Sequence, residues 1–482
     1  MMSGTTVPVT ATAVLDPETG YRYRWMVLTV VLIADVMDLL DATIANLAGP
    51  SIRADIGGSE TTLQWVLAAY TLTFAVGLIT SARAGDLWGR RRLFVIGMVG
   101  FTVASLLCGL APSAGLLIAA RAAQGLFGAV MIPQGLAMVK ASFTEADLQK
   151  AFIPFGPVMG LAAVMGPILA GFLLHADLFG SGWRSIFWIN VPVGAVSSYL
   201  ALRFLPRHLE TDPGARLDLR GSALLTAASI TLIYPLVQGH DQGWPGWMFG
   251  LLGLSAVLWL TFVVSERRAS HPVIERSLFG NRAFVGGLVF LGTFFTAMSG
   301  FMLTINLFLQ YGLHFTPMHT GLALAPWALG MAVGAAASGA ALGPKFGRHV
   351  LHGGLVLVAA GLGLVWLTVG SNAMHTTGWD LALGFFVTGV GSGAIFAPLF
   401  DIILADLGDH EVGTGSGVLN AVQQFCGALG VAVLGSVFFQ LLPGHGFADS
   451  IRELIVISVG CYAVSFAAAF LLPMKAREDA LH

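Results

Sequence analysis

Fourteen runs of mostly apolar residues, each close to twenty residues long, divide this chain from Trp25 almost to its end. A helix needs about 20 such residues to cross the hydrocarbon core of a bilayer, where no water serves unpaired backbone groups. Predicted spans lie at 25–47, 61–82, 93–111, 115–139, 152–174 and 184–204, then at 220–239, 247–265, 284–309, 321–342, 350–370, 380–404, 418–441 and 453–473. Charged residues make up 10% of the chain and hydrophobic ones 56%, whereas about a quarter of a soluble domain is charged. Only an apolar solvent lets so much of the chain face outward. The expected fold class is an all-α polytopic membrane protein with 14 transmembrane helices.

The loops set the orientation. With the N-terminus in the cytoplasm, the segments on that side hold 20 of the 24 Lys and Arg residues, and only Arg53, Arg184 and Arg452 fall on the other side. Arg121 lies within a span. This is the asymmetry of positive-inside topology. The expected location is the inner (cytoplasmic) membrane of a cell, multi-pass, with both termini cytoplasmic. Residues 1–24 hold no apolar core of signal-peptide length, so no cleaved targeting segment is expected. A net charge of −2 offers no basic face to a nucleic acid. Cys108, Cys426 and Cys461 lie far apart in apolar runs, and the 12 histidines show no ligand spacing, so neither a disulfide, a metal nor a cofactor is expected.

An internal repeat organises the spans. Gly85-Asp86-Leu87-Trp88-Gly89-Arg90-Arg91 follows the second, and a worn copy, Gly343-Pro344-Lys345-Phe346-Gly347-Arg348-His349, follows the tenth. Gly128-Ala129 with Pro133 is echoed by Gly393-Ala394 with Pro398 at a similar offset. Corresponding loops thus stand eight spans apart, where a plain duplication of six would put them six apart. The domain expectation follows: a cytoplasmic tail at 1–24, a six-helix bundle at 25–204, a linker at 205–283 with two inserted helices, a second six-helix bundle at 284–474, and a tail at 475–482. Parallel repeats of this kind place a substrate site at their interface near mid-membrane.

Ionisable residues inside the spans carry the functional signal, because a charge at the bilayer centre costs about 3 kcal/mol on insertion scales. Asp35, Asp38 and Asp41 fall within an arc of about 120° on the first span. Arg121 sits at the depth of Asp41, each about 9 Å by helical rise from the same membrane face. These four are the candidate proton-coupling residues; satisfied structural acids are the plainer alternative. The ninth span interleaves Phe294, Phe295, Met298, Phe301 and Met302 with Thr293, Thr296, Ser299 and Asn306, while Asn420, Gln423 and Gln424 lie along the thirteenth. A roomy, largely apolar cavity and plain helix packing both account for that pattern.

Several segments resemble the major facilitator superfamily. Ala82-Arg83-Ala84-Gly85-Asp86-Leu87-Trp88-Gly89-Arg90-Arg91-Arg92 is similar to its loop signature, with Ala82 at the usual first glycine. Arg121-Ala122-Ala123-Gln124-Gly125 resembles the fourth-helix signature of its drug exporters, and Gly166-Pro167-Ile168-Leu169-Ala170-Gly171 the fifth-helix signature of antiporters. Leu40-Asp41-Ala42-Thr43-Ile44-Ala45-Asn46, Gln64-Trp65 with Tyr70, and Trp183-Arg184 with Asn190-Val191-Pro192 are similar to the fourteen-helix drug/proton antiporter branch. The resemblance implies a gating loop at Asp86, Gly89, Arg90 and Arg91. Physically, Asp86 would face the positive end of a helix in the other bundle, and a solvated basic turn that only sets topology is the alternative. The resemblance also implies an antiporter helix at Gly166, Pro167 and Gly171. The expected cavity residues are Trp65, Tyr70, Gln124, Phe294, Met298, Asn306, Asn420, Gln423 and Gln424.

The implied function is proton-coupled efflux of lipophilic drugs, toxins or secondary metabolites by alternating access. The expected partners are a small lipophilic substrate, cationic or neutral, protons and membrane lipids, and the chain is expected to act as a monomer. The alternative is a proton-coupled importer or symporter of a small metabolite. An intramembrane enzyme lacks clustered nucleophile, base or metal ligands in this sequence, so no enzymatic activity is expected.

Overall fold

The computed structural model describes residues 20–152, 154–207, 218–268 and 276–475. Most of the two expected tails and the middle of the expected linker lie outside them. The chain runs through α1 (Arg24–Ile56), α2 (Glu60–Trp88), α3 (Arg90–Leu110), α4 (Ala114–Ser142), α5 (Glu145–Phe152), α6 (Phe155–Ala176), α7 (Ser185–Trp188) and α8 (Asn190–Phe204). Next come α9 (Leu219–Gln242), α10 (Gly246–Arg268), α11 (Arg276–Gly280), α12 (Arg282–Leu307) and α13 (Pro317–Ala337). The series ends with α14 (Gly343–Phe346), α15 (His349–Asn372), α16 (Gly378–Leu404) and α17 (Asp409–Ala469). Among the described residues, 11 helices are long and apolar enough to cross a membrane.

Local chemistry sets where the helices begin and end. The side chains of Asn281, Thr316 and Thr377 accept from first-turn backbone N–H groups, and Thr377 completes a capping box with Asp380. Gly89, at φ 89°, lets α2 stop at Trp88 and α3 restart at Arg90. Two features depart from the sequence reading. The first helix continues to Ile56, well past residue 47, with Pro50 inside it. The last two spans are separate helices within α17 that meet at Gly446 (φ 72°, ψ 177°), each running further toward the turn than expected.

Two sets of helices assemble. In the first, α4 lies between α2 and α3, and α1 touches α4, α6 and α8; in the second, α16 lies between α13 and α15, and α12 packs along α17. Lipid tails are as apolar as leucine, so such helices associate by close packing of small residues. A Cβ on Gly125 of α4 would lie 2.2 Å from the Tyr70 carbonyl oxygen of α2. One on Gly389 of α16 would lie 2.0 Å from the Trp327 carbonyl oxygen of α13. The same contact thus occurs at matching places in the two sets, as a repeat requires. The pair α9 and α10 packs on itself, and α9 rests against both α2 and α17. Trp259 of α10 meets Phe425 of α17, while Val257, Leu260 and Val264 are exposed, the disposition of a lipid-facing face.

The sets meet through α6 with α13 and α2 with α17, and the close contacts cluster at the end away from the basic loops. There a Cβ on Gly321 of α13 would lie 2.4 Å from the Pro167 carbonyl oxygen, and one on Gly171 of α6 would lie 2.8 Å from the Met318 Cα. The Gln310 amide donates to the Leu47 carbonyl at 2.9 Å. At the basic end, Gly413 and Gly417 of α17 face open space. The molecule is sealed at the far end.

Candidate functional site

Asp41 is buried where α1, α4 and α8 meet, and three side chains serve its carboxylate. Arg121 donates to one oxygen. Gln124 and Asn190 donate to the other, each at 2.8 Å. Ser105 of α3 accepts from Gln124 at 2.7 Å and from Asn190 at 3.3 Å, which fixes both amides. Arg121 also donates to the Val66 carbonyl at 3.1 Å and to the Gln124 side-chain oxygen at 2.7 Å. Its guanidinium lies 4.3 Å from the Tyr70 ring centre. A charge pair this deeply buried is tolerable only when hydrogen bonds serve it, and Asp41 has three such donors.

Beside this network, between the two helix sets, lies a cavity of about 270 Å³. Asp38 lines it and accepts from the Tyr70 hydroxyl. The three aspartates therefore part company. Asp41 turns into the network, Asp38 faces the cavity, and Asp35 sits one turn nearer the basic end, partly buried and off the cavity wall. Tyr70 bridges the two systems, with its ring on Arg121 and its hydroxyl on Asp38.

Of the expected cavity residues, Tyr70, Met298, Asn306, Gln423 and Gln424 are on the wall. The structure places the others elsewhere. Phe294 is fully buried in the packing of α12, one residue out of phase with Phe295, which does line the cavity. Gln124 belongs to the Asp41 network. Trp65 stacks toward Tyr234 of α9. Asn420 is exposed, bonded to the Ser416 carbonyl at 2.9 Å. Sequence reasoning missed Asn46, Trp327, Met331 and Phe396 on the wall. Asn46 carried a partial signal, since it lies about two turns beyond Asp38 and about 80° around the helix. Trp327 was readable only through the repeat, as the counterpart of Tyr70. The Trp327 indole N–H and the Asn46 side-chain oxygen have no hydrogen-bond partner among the described residues.

The gating-loop residues meet in the turn between α2 and α3. Asp86 is held by Arg90 of its own loop at 2.6 Å rather than by a helix end of the other set, and Arg91 donates to the Leu202 carbonyl at 2.6 Å. Gly166, Pro167 and Gly171 lie along α6, with Gly166 against Thr43 of α1 and the other two in the far-end seal. At that end Asp55 accepts from the Trp183 indole at 2.9 Å and from Arg184 at 2.5 Å. These bonds, the indole first, hold its carboxyl below the usual carboxylate range.

An acid-bearing cavity between two repeated helix sets is the arrangement of a membrane transporter, and comparison with known proteins agrees. The chain is 48% identical over 433 residues to a probable actinorhodin transporter of Streptomyces coelicolor, covering 89% of this chain and 75% of the relative. It is 35% identical over 474 residues to a puromycin resistance protein of Streptomyces alboniger, covering 97% and 92%. It is 31% identical over 448 residues to a tetracenomycin C resistance and export protein of Streptomyces glaucescens, covering 92% and 81%. A crystal structure of a POT family transporter with a thioalcohol-conjugated peptide superposes with a TM-score of 0.67 at 14% identity, covering 91% of this chain and 94% of that one. That likeness speaks to the fold alone. The Major Facilitator Superfamily model matches residues 31–431, and the chain belongs to that superfamily.

Proposed function

We propose that this protein is a proton-coupled efflux antiporter that exports small lipophilic antibiotics or secondary metabolites by alternating access. The observation that carries the reading is the direct contact between a mostly apolar cavity and a buried charge network, made through Asp38 and Tyr70. The relatives named for actinorhodin transport, puromycin resistance and tetracenomycin C export support the cargo class. The chain spans the inner membrane 14 times as a monomer among lipids, with both termini cytoplasmic. Two six-helix bundles, 25–204 and 284–474, flank a linker whose α9 and α10 are the inserted pair. The far end is then the outside, and the molecule stands open toward the cytoplasm.

The coupling proton rides on the acids of α1. Facing outward, Asp38 takes a proton and loosens its hold on a cationic cargo; facing inward, it releases the proton through Asp35 and binds the next molecule. Asp41 and Arg121 tie that event to the packing of α1, α4 and α8. Exchange of one monovalent cation for one proton moves no net charge, so only the pH gradient drives it. A neutral cargo adds the membrane potential, about 2.3 kcal/mol per 100 mV. As the cytoplasmic side closes, Asp86 leaves Arg90 for the positive end of a helix in the other bundle, and the loop arginines stay on anionic headgroups.

The test is purified protein in liposomes with an imposed pH gradient. Asp38→Asn and Asp41→Asn should each abolish gradient-driven efflux while cargo still binds. Asp86→Asn should slow efflux with normal expression. Full proton-coupled export by both α1 variants would refute the assignment, and uptake driven by the gradient would establish import.

A further inference from the structure

The two-helix insertion and the Gln64 of the Gln64-Trp65 motif meet at one place, the outer seam between α2 and α17. Gln64 is fully buried there, and neither its amide nitrogen nor its oxygen has a hydrogen-bond partner among the described residues. Its side chain lies against Gly435 of α17, so closely that a Cβ on that glycine would come within 2.2 Å of the amide nitrogen. The final turns of α9 straddle the same contact. Asp241 of α9 accepts from Thr61 of α2, one turn before Gln64. The α9 carbonyl of Leu236 accepts from Ser436 of α17, the residue after Gly435. Tyr234 of α9 meets the ring of Trp65.

We propose that α9 is a clasp that holds the outer gate shut by gripping both bundles across the α2/α17 seam, and that Gln64 makes the clasp releasable. The two act in opposite directions. Outward opening parts α2 from α17, so α9 must let go of Thr61 or of Ser436; both bonds therefore favour the closed seam. The Gln64 amide is buried without a protein partner among the described residues while the seam is closed, and opening the seam exposes it to water. Its burial therefore favours opening. A gate that must alternate needs both, because a ligand or proton can move only an equilibrium whose two states are near each other in free energy.

The gate population is measured without cargo or gradient, so the result stands or falls independently of the export reading. Spin labels are placed at Ser113→Cys and Met374→Cys, in the outer loops of the two bundles, on the full chain with its three native cysteines replaced by alanine. Pulsed distance measurements in lipid nanodiscs then give the ratio of short (outer closed) to long (outer open) distances. Gln64→Leu should raise that ratio about fivefold and Asp241→Ala should lower it by a similar factor. Gln64→Met and Thr61→Val serve as second variants should either fail to fold. The clasp is refuted if the Asp241 and Thr61 variants leave the ratio within about twofold or raise it. The releasing role of Gln64 is refuted if its variants leave the ratio within about twofold or lower it.

Discussion

Arg121 and Asp41 are paired almost wholly out of solvent, each side chain being 1% exposed. Removing one partner strands the other as an uncompensated charge. Arg121→Ala should therefore destabilise the protein by about 3–5 kcal/mol, read as a lower midpoint of denaturant unfolding in detergent. The double variant Arg121→Gln with Asp41→Asn should recover most of that loss while remaining unable to couple transport to protons.

The outer seal at Gly321 leaves no room for a side chain. Gly321→Val drives a branched group into the Pro167 carbonyl, 2.4 Å from where its Cβ would stand, so the seam should stay parted. A membrane-impermeant maleimide added outside should then label a cysteine placed at Met302 on the cavity wall, and export should fall at least about tenfold. Unchanged protection of that cysteine would show that α6 and α13 do not seal the cavity.

Asp55 makes a pH prediction with a definite sign. Its carboxyl is held below the usual range, so the bonds to Trp183 and Arg184 contribute stability above the unfolded carboxylate pKa and lose it as pH falls through the lowered folded value. Asp55→Asn should lower the melting temperature at pH 7, and the difference from wild type should begin to shrink only below about pH 4. A difference that vanished near pH 6 would place the effect on another group.

Trp327 lines the cavity, and its indole N–H has no acceptor among the described residues, whereas its repeat counterpart Tyr70 has Asp38. Trp327→Phe keeps the ring and removes the donor. Binding of a carbonyl-bearing probe such as anthraquinone should weaken by about tenfold, the scale of one lost hydrogen bond, while binding of anthracene should be unchanged. Equal effects on both probes would assign Trp327 to packing alone.

Topology is checked by labelling. A cysteine replacing Trp244, in the turn between α9 and α10, should react from outside. One replacing Asp212, which lies outside the described residues, should not. Reversed accessibility would overturn the orientation and the inserted pair together.

Most of the fold was legible because membrane helices announce themselves by length and apolarity, and loop charge orders them. The pairing of Asp41 with Arg121 was legible too, since helical rise fixes depth. Azimuth was the weak point. Asp35, Asp38 and Asp41 share an arc of about 120°, yet that arc is wide enough to cross from the cavity to the interior of the bundle. The same limit put Phe294 on the wall in place of its neighbour Phe295. In an all-apolar helix nothing in the sequence marks which face meets lipid, which meets a partner helix and which meets a void. Gln64 was visible as part of a motif, but its burial without a partner depends on Gly435, some 370 residues away, and no local pattern encodes that.

The cavity wall is divided by origin. Asp38, Tyr70 and Arg121 come from the first helix set, while Phe295, Met298, Trp327, Phe396 and Gln423 come from the second and bring no charge. Both halves give the wall apolar and amide side chains, but its ionisable groups come from the first alone. Under the proposed assignment of the proton to Asp38, substitutions in the second half would retune which molecule is carried and leave that acid in place, so one coupling site could serve lineages that export chemically unlike compounds.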